Sequence, residues 1–136
     1  MAIVVPTSGE TQILNRLFNT STPNNPLEVG LFTSPSVVPG KSTTLVDLVE
    51  LVIGTDPSYV RKNLGAATNL NGVATFDQLT WVLTGGANAY DVYGYFVLDS
   101  VTLELLWCEK FPAKFSIATA IQNGGTIKVT LKMELD

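Results

Sequence analysis

The sequence predicts an all-β fold: a single-domain β-sandwich or jelly-roll-like structure with one or two short peripheral helices. About seven or eight segments rich in β-branched and aromatic residues follow one another, separated by turn residues. The apolar fraction is 46%, which suffices for a buried core in a chain of 136 residues. We therefore treat residues 1–136 as one domain, with residues 1–6 as an extended N-terminal arm.

A β-hairpin is predicted at the centre of the fold, from residues 90–98 and 103–111, joined by the polar residues 99–102. The first strand is apolar on both faces. Strict alternation places Val92, Phe96 and Leu98 on one face and Tyr93, Tyr95 and Val97 on the other. Because a strand with two apolar faces is covered on both sides, the hairpin is expected to be central.

Two helices are predicted. Thr7 and Glu10 match a capping box, so the first helix is expected over residues 8–18. Its apolar stripe at helical spacing consists of Ile13, Leu14, Leu17 and Phe18. The second helix is predicted to begin at Thr44 and to end at Gly54, with Leu45, Leu48, Val49 and Val52 on its apolar side. A strand over residues 49–53 is the alternative.

Further strands are predicted at residues 27–33, 59–64, 73–84, 114–121 and 127–135, with residues 73–84 forming either a strand pair or one long bent strand. Asn71-Gly72 and Asn123-Gly124-Gly125 predict tight turns. The last strand alternates most regularly, with Ile127, Val129, Leu131, Met133 and Leu135 expected to face inward.

Composition argues against several classes of function. The chain has no histidine and one cysteine, Cys108, so histidine-based catalysis, most zinc sites and an internal disulfide are not expected. Its 8 basic residues form no cluster, which argues against nucleic-acid binding. No apolar run approaches the ~20 residues of a membrane helix. We therefore expect no enzymatic activity, no cofactor, no metal, no nucleic acid and no membrane contact.

Two side-chain groups have alternative interpretations. Tyr90, Tyr93 and Tyr95 lie close together in the sequence and would suit a carbohydrate platform, but core or subunit-interface packing is the more common role of such a stripe. Asp56, Asp91 and Asp99 lie in or beside turns. No calcium-loop pattern surrounds these carboxylates, so Asx turns are favoured over a calcium site.

Charged residues make up only 15% of the chain, against about 25% in an average soluble domain. A surface with so few charges indicates a permanent oligomer or a docked partner. A surface rich in Ser, Thr and Asn is the alternative.

Several stretches resemble small structural proteins of tailed bacteriophages. They are residues 92–99, 105–111, an opening of the type Val5 to Glu10, a strand of the type Leu27 to Thr33 followed by a Pro/Thr-rich loop, and a Gly-led last strand. The chain looks most similar to capsid decoration, or cement, proteins. The resemblance implies a homotrimer that binds the major capsid protein on the exterior of the virion and is assembled in the bacterial host cytoplasm.

The same resemblance leaves a tail, neck or fibre component open, and a carbohydrate- or receptor-binding β-sandwich is the second class of function. Contacts in a virion are expected from the arm, from loops 19–26 and 34–43, and from the strand aromatics. The candidate interface residues are Ile3, Val4, Val5, Pro23, Pro26, Pro35, Val37, Val38, Pro39, Tyr93 and Tyr95. We expect removal of residues 1–6 to weaken assembly and to leave the fold intact.

The regular pattern of the last strand generates a first prediction. Val129→Asp should unfold the domain, because burying a large apolar side chain is worth roughly 1.5–3 kcal/mol and a buried unpaired charge adds a further penalty. Circular dichroism and urea denaturation measure this outcome. A Val129→Asp protein that unfolds cooperatively at the same urea concentration as the unchanged chain would show that the strand is not part of the core.

Overall fold

The structure is a computed structural model and describes residues 3–18 and 25–134. Helix α1 spans Thr7–Phe18 and helix α2 spans Leu45–Leu48. The strands are β1 (Leu27–Phe32), β2 (Lys62–Leu64), β3 (Ala67–Leu70), β4 (Val73–Phe76), β5 (Leu79–Leu83), β6 (Tyr90–Asp99), β7 (Leu105–Ile117), β8 (Gly125–Val129) and β9 (Lys132–Glu134). The predicted all-β domain with short helices is confirmed.

The strands form three antiparallel sheets. The largest has four strands in the order β2-β1-β6-β7. A three-stranded sheet has the order β3-β4-β9, and β5 pairs with β8. The predicted Asn71-Gly72 turn joins β3 to β4, with positive φ at both residues, as a tight two-residue hairpin requires. The second predicted turn is also confirmed, with positive φ at Asn123 and Gly124.

Two apolar clusters lie on opposite faces of the four-stranded sheet. The main core lies between this sheet and the smaller sheets, and its largest contributors include Leu31, Trp81, Leu106 and Ile127. The second core consists of Phe32, Leu48, Phe96, Leu98, Leu105 and Cys108. Strand β6 supplies both cores and is an inner strand, as predicted, whereas its hairpin partner β7 lies at the edge of the sheet.

The hairpin departs from its prediction in length and in side-chain direction. Strand β7 is one continuous strand, because Pro112 falls in a bulge: residues 111–114 lie opposite Tyr93 alone, where the proline's missing amide breaks no ladder bond. The bulge also interrupts the regular alternation of β6 side chains between the two faces of the sheet. Tyr93 therefore packs against the second core, whereas Tyr95 lies in the main core, and the prediction that they share a face is wrong.

Helix α1 is confirmed, but its start and its apolar stripe differ from the prediction. The Pro6 carbonyl accepts the Glu10 amide at 3.0 Å, and the Thr7 amide donates to the Lys41 carbonyl. The Glu10 carboxylate pairs with the Lys41 ammonium instead of closing a capping box. Leu14 is 54% exposed, because the helix docks through its first turn. The side chains of Leu17 and Phe18 lie outside the described residues.

That docking depends on a small residue. A Cβ atom at Gly9 would lie 1.9 Å from the Leu106 carbonyl oxygen of β7, so only glycine permits the approach. The Ser8 hydroxyl donates to the Leu105 carbonyl at 3.2 Å beside this contact.

Three other segments differ from the sequence prediction. Helix α2 ends at Leu48, not at Gly54, because Val49 is left-handed (φ 56°) and Glu50 forms a bridge with Phe32 at the edge of β1. Strand β3 was not predicted. The last strand divides at Thr130 into β8 and β9, which belong to different sheets, although Ile127, Val129 and Leu131 are buried as predicted. Leu135 lies outside the described residues.

Gly9→Ala is expected to destabilise the domain by about 1–3 kcal/mol, the usual consequence of overpacking, because the Leu106 carbonyl is fixed in a strand and cannot move away. Gly65→Ala is the matched control, since no atom lies within 4 Å of a Cβ atom there. Urea denaturation of both variants measures the difference. Equal stabilities would contradict the close contact between α1 and β7.

Candidate interaction surface

The N-terminal arm lies against its own chain. Val4 forms a two-bond bridge with Cys108 of β7, with N–O distances of 2.9 and 3.0 Å. Ile3 and Val5 are half-buried against the main core, and Pro6 is buried. The expectation that removing residues 1–6 leaves the fold intact is therefore not supported, because the deletion removes core contacts.

The two predicted contact loops differ in what the structure describes. Pro23 and most of loop 19–26 lie outside the described residues, whereas Pro26 is exposed and its carbonyl accepts the Ser100 amide. In loop 34–43 the Lys110 ammonium donates to the carbonyls of Pro35 and Val37 at 2.8 and 3.2 Å. Val38 is 83% exposed, Pro39 is partly buried, and Val37 packs against the second core. The described loop 34–43 is thus anchored at its base, with Val38 outermost.

The tyrosines do not form an open aromatic platform. Tyr95 is 2% exposed, and its hydroxyl donates to the Glu109 carboxylate at 2.5 Å. The Tyr90 hydroxyl donates to Asp56 at 2.7 Å. Tyr93 is partly buried, with the Lys110 ammonium 5.8 Å from its ring centre. Burial raises the pKa of Tyr90 and Tyr95 above the usual tyrosine range, and the adjacent carboxylates add to this effect.

Two buried aspartates fasten loops. Asp56 accepts the Ser58 amide and hydroxyl at 3.0 and 2.6 Å and the Gly85 amide at 2.8 Å. Asp99 accepts the amides of Val101 and Thr102 at 2.8 and 2.9 Å and pairs with Arg16 at 2.6 Å. Both carboxylates therefore make the Asx turns predicted from the sequence. Burial acts to raise the pKa of each carboxyl, but the donated hydrogen bonds outweigh burial and lower it.

A third polar cluster surrounds Arg61. Its guanidinium donates to both oxygens of the Glu50 carboxylate, at 2.7 and 2.6 Å, and lies 3.5 Å from Glu28. The Tyr59 hydroxyl donates to Glu50 at 2.9 Å and accepts the Leu31 amide at 3.1 Å. The hydrogen bond to Glu50 raises the pKa of Arg61, so the guanidinium stays charged. The cluster ties the segment after α2 to strand β1.

Beside this cluster lies an apolar surface that the sequence prediction missed. We define the apolar patch as Val52, Ile53, Val60 and Ile121, which are 53%, 65%, 53% and 94% exposed. The sequence predicts Val52 on the apolar side of a longer helix, and that prediction is wrong. The signal in the sequence is a run of Val and Ile residues between positions 46 and 60 that is interrupted by Gly54 and by Asp56-Pro57. Glycine and proline break a helix, so the Val and Ile side chains near them need not face the core.

Two open cavities flank the patch. One, of about 580 Å³, is lined by Val52, Ile53, Val60 and the Arg61 cluster. The other, of about 390 Å³, is lined by Ile53, Pro57, Ala87 and Ile121. Ile53 and Gly54 line both cavities. The charged side chains in the larger cavity all belong to the Arg61 cluster. The lining of the smaller cavity contains no charged side chain.

Other binding features were assessed over residues 3–18 and 25–134. In that part of the chain, no three metal-ligating side chains lie close enough to hold a metal ion. None of the described helices is both long enough and apolar enough to cross a membrane. Cys108 is buried, and burial raises the pKa of its thiol to about 11. Comparison with protein-family models and with curated protein sequences found no match.

The lowered pKa values of Asp56 and Asp99 determine how stability depends on pH. A carboxyl with a lower pKa in the folded state stabilises the fold while ionised, and this contribution disappears as protons bind. The free energy of unfolding should therefore fall as the pH drops below about 4, the ordinary aspartate pKa.

Asp56→Asn should reduce this pH dependence and destabilise the protein at pH 7 by about 1–3 kcal/mol, because buried donors lose a charged acceptor. Asp77→Asn, at an exposed position, is the control and should change neither quantity. Urea denaturation at pH 7 and at pH 3 measures both. If the free energy of unfolding fell by the same amount between pH 7 and pH 3 in Asp56→Asn as in the unchanged chain, this carboxyl would not stabilise the fold.

Proposed function

We propose that the chain is a structural protein of a bacteriophage virion that stabilises the capsid by binding its outer surface as an oligomer. In this proposal the chain forms a trimer, contacts the major capsid protein and acts by adhesion, with no catalytic role and no cofactor, nucleic acid or membrane. It is assembled in the bacterial host cytoplasm and resides on the capsid exterior. The resemblance of its hairpin and last strand to capsid decoration proteins supports this function.

The observation that carries the proposal is the apolar patch. Large apolar side chains that are more than half exposed and adjacent to one another mark sites of protein association. The cores of protein interfaces are also depleted of charge. The patch fits that description, because its own side chains are uncharged; the Glu50 and Glu28 carboxylates beside it share Arg61, which leaves one net negative charge there.

The internal use of polar side chains is consistent with such a role. Asp56 and Asp99 each hold loop backbone in place through several hydrogen bonds, and Glu50 accepts hydrogen bonds from the side chains of Tyr59 and Arg61. Loops fixed in this way present a constant shape to a neighbouring protein at little entropic cost of binding. The exposed Val38 at the tip of anchored loop 34–43 is a second surface suited to the capsid contact.

The location of the protein in particles tests this function. Virions that lack the chain should have intact heads that release their DNA at a lower temperature, and resupplying the chain should restore both heat resistance and surface density in electron micrographs. Virions that never lost the chain are the control. Density at the tail, neck or fibre would replace the capsid role with one of those positions. A protein absent from purified virions would refute the proposal.

A further inference from the structure

We propose that the Glu109 carboxylate and the aromatic rings beside it form a binding site for the guanidinium group of an arginine side chain carried by a partner protein. The site lies in a cavity of about 350 Å³ that is lined by residues of β6, β7 and β8. This cavity shares no lining residue with the two that flank the apolar patch. The inference goes beyond the proposed virion role and does not depend on it.

The Glu109 carboxylate is buried with few partners of its own. Glu109 is 9% exposed, and the Tyr95 hydroxyl donates to one of its oxygens at 2.5 Å. Among the described residues, no other side chain donates to this carboxylate and no Lys or Arg pairs with it. A carboxylate removed from water destabilises a fold unless a cation or several polar donors replace that water. Its second oxygen can therefore accept a cation that the described chain does not supply.

Two phenylalanine rings line the same cavity. Phe111 and Phe115 lie on either side of the bulge in β7, and their ring centres are 5.1 Å apart with an angle of 81° between the ring planes. Residues four apart in a regular strand are separated by about 13 Å, so the bulge brings these rings together. Phe115 is 38% exposed, so an incoming group can reach its ring. The faces of aromatic rings attract organic cations.

A guanidinium group suits this pair of features better than other cations. It is planar and weakly hydrated, so it can stack on a ring while its N–H groups donate to a carboxylate. A lysine ammonium is more strongly hydrated and loses more on burial, and a quaternary ammonium has no N–H group to donate. The flexible aliphatic stem of an arginine side chain can carry the guanidinium into a cavity while the partner's backbone stays outside.

Lys128 lines the same cavity and opposes an incoming cation. Its side chain is exposed on β8 and forms no ion pair with a carboxylate of the described chain, so water and salt screen its charge. Glu109 is buried, and its charge is screened less. Lys128→Met should therefore strengthen the binding of a guanidinium group, because it removes a like charge and keeps an aliphatic stem.

Two-dimensional ¹⁵N NMR of the full chain tests the site with N-acetyl-arginine amide as the probe. N-acetyl-citrulline amide is the control ligand, since it has the same shape without the charge. The arginine amide should shift the backbone amide signals of Glu109, Phe111 and Phe115 in a saturable way, and the citrulline amide should not. The Trp81 indole signal is the internal reference, because that N–H donates to the Val60 carbonyl at 2.9 Å and lies outside the cavity lining.

Substitutions separate the two parts of the site. Glu109→Gln keeps an acceptor for the Tyr95 hydroxyl and should weaken arginine-amide binding about tenfold or more, because a charged hydrogen bond is lost. Phe115→Leu should weaken it about threefold through loss of the ring. Glu134→Gln is the matched control, since Glu134 is exposed and lines a neighbouring cavity instead of this one. Circular dichroism should show all three variants folded.

Several results would overturn the inference. Equal shifts with the arginine and citrulline amides would show that the cavity does not recognise charge, and undiminished binding to Glu109→Gln would remove this carboxylate from the site. An arginine amide that binds Lys128→Met but not the unchanged chain would show that Lys128 already occupies the site. Free arginine that binds much more tightly than the blocked amide would assign the cavity to the amino acid instead of a protein side chain. Equally tight binding of N-acetyl-lysine amide would rule out selectivity for guanidinium.

Discussion

The fold depends on one strand being covered by apolar side chains on both of its faces. Strand β6 contributes Tyr95 and Val97 to the main core and Phe96 and Leu98 to the second core, and all four are buried. Both faces of a strand of this kind must be covered, because neither can face water. The smaller sheets must therefore cover one face of the central sheet, and helix α2 with its flanking loop must cover the other.

This constraint explains which parts of the structure the sequence could predict. The hairpin, strand β1 and the buried residues of the last strand follow from local patterns of apolar residues, which burial enforces. The bulge opposite Tyr93 and the division of the last strand at Thr130 depend on pairing with distant strands, which a local pattern does not contain. Helix α2 was predicted too long because Val49 and Val52 are apolar but face outward.

The sequence predicted that the protein has a contact surface, but it did not predict where that surface lies. A chain with 15% charged residues indicated a contact surface, and an apolar patch with its nearby charges paired agrees with that indication. Its location was missed because Ile121 and Ile53 are distant in the sequence and become neighbours only when the 3₁₀ turn at residues 120–122 packs near the turn at Gly54. Two of the three aspartates were easier to interpret, since Asp56-Pro57 and Asp99-Ser100 are local turn signals whose hydrogen bonds reach the next few residues. The Asx turn expected at Asp91 is wrong, because Asp91 lies in β6 and its carboxylate accepts hydrogen bonds from Lys114 and Ser116.

The single thiol gives the molecule an internal reporter. Cys108 is paired with Phe96 of β6 on one side and with Val4 of the arm on the other, and it has no exposed surface. A thiol reagent can modify it only after the arm has detached from β7 and the second core has opened. The rate at which such a reagent labels the native protein therefore measures how often this edge of the central sheet opens, without any engineered probe.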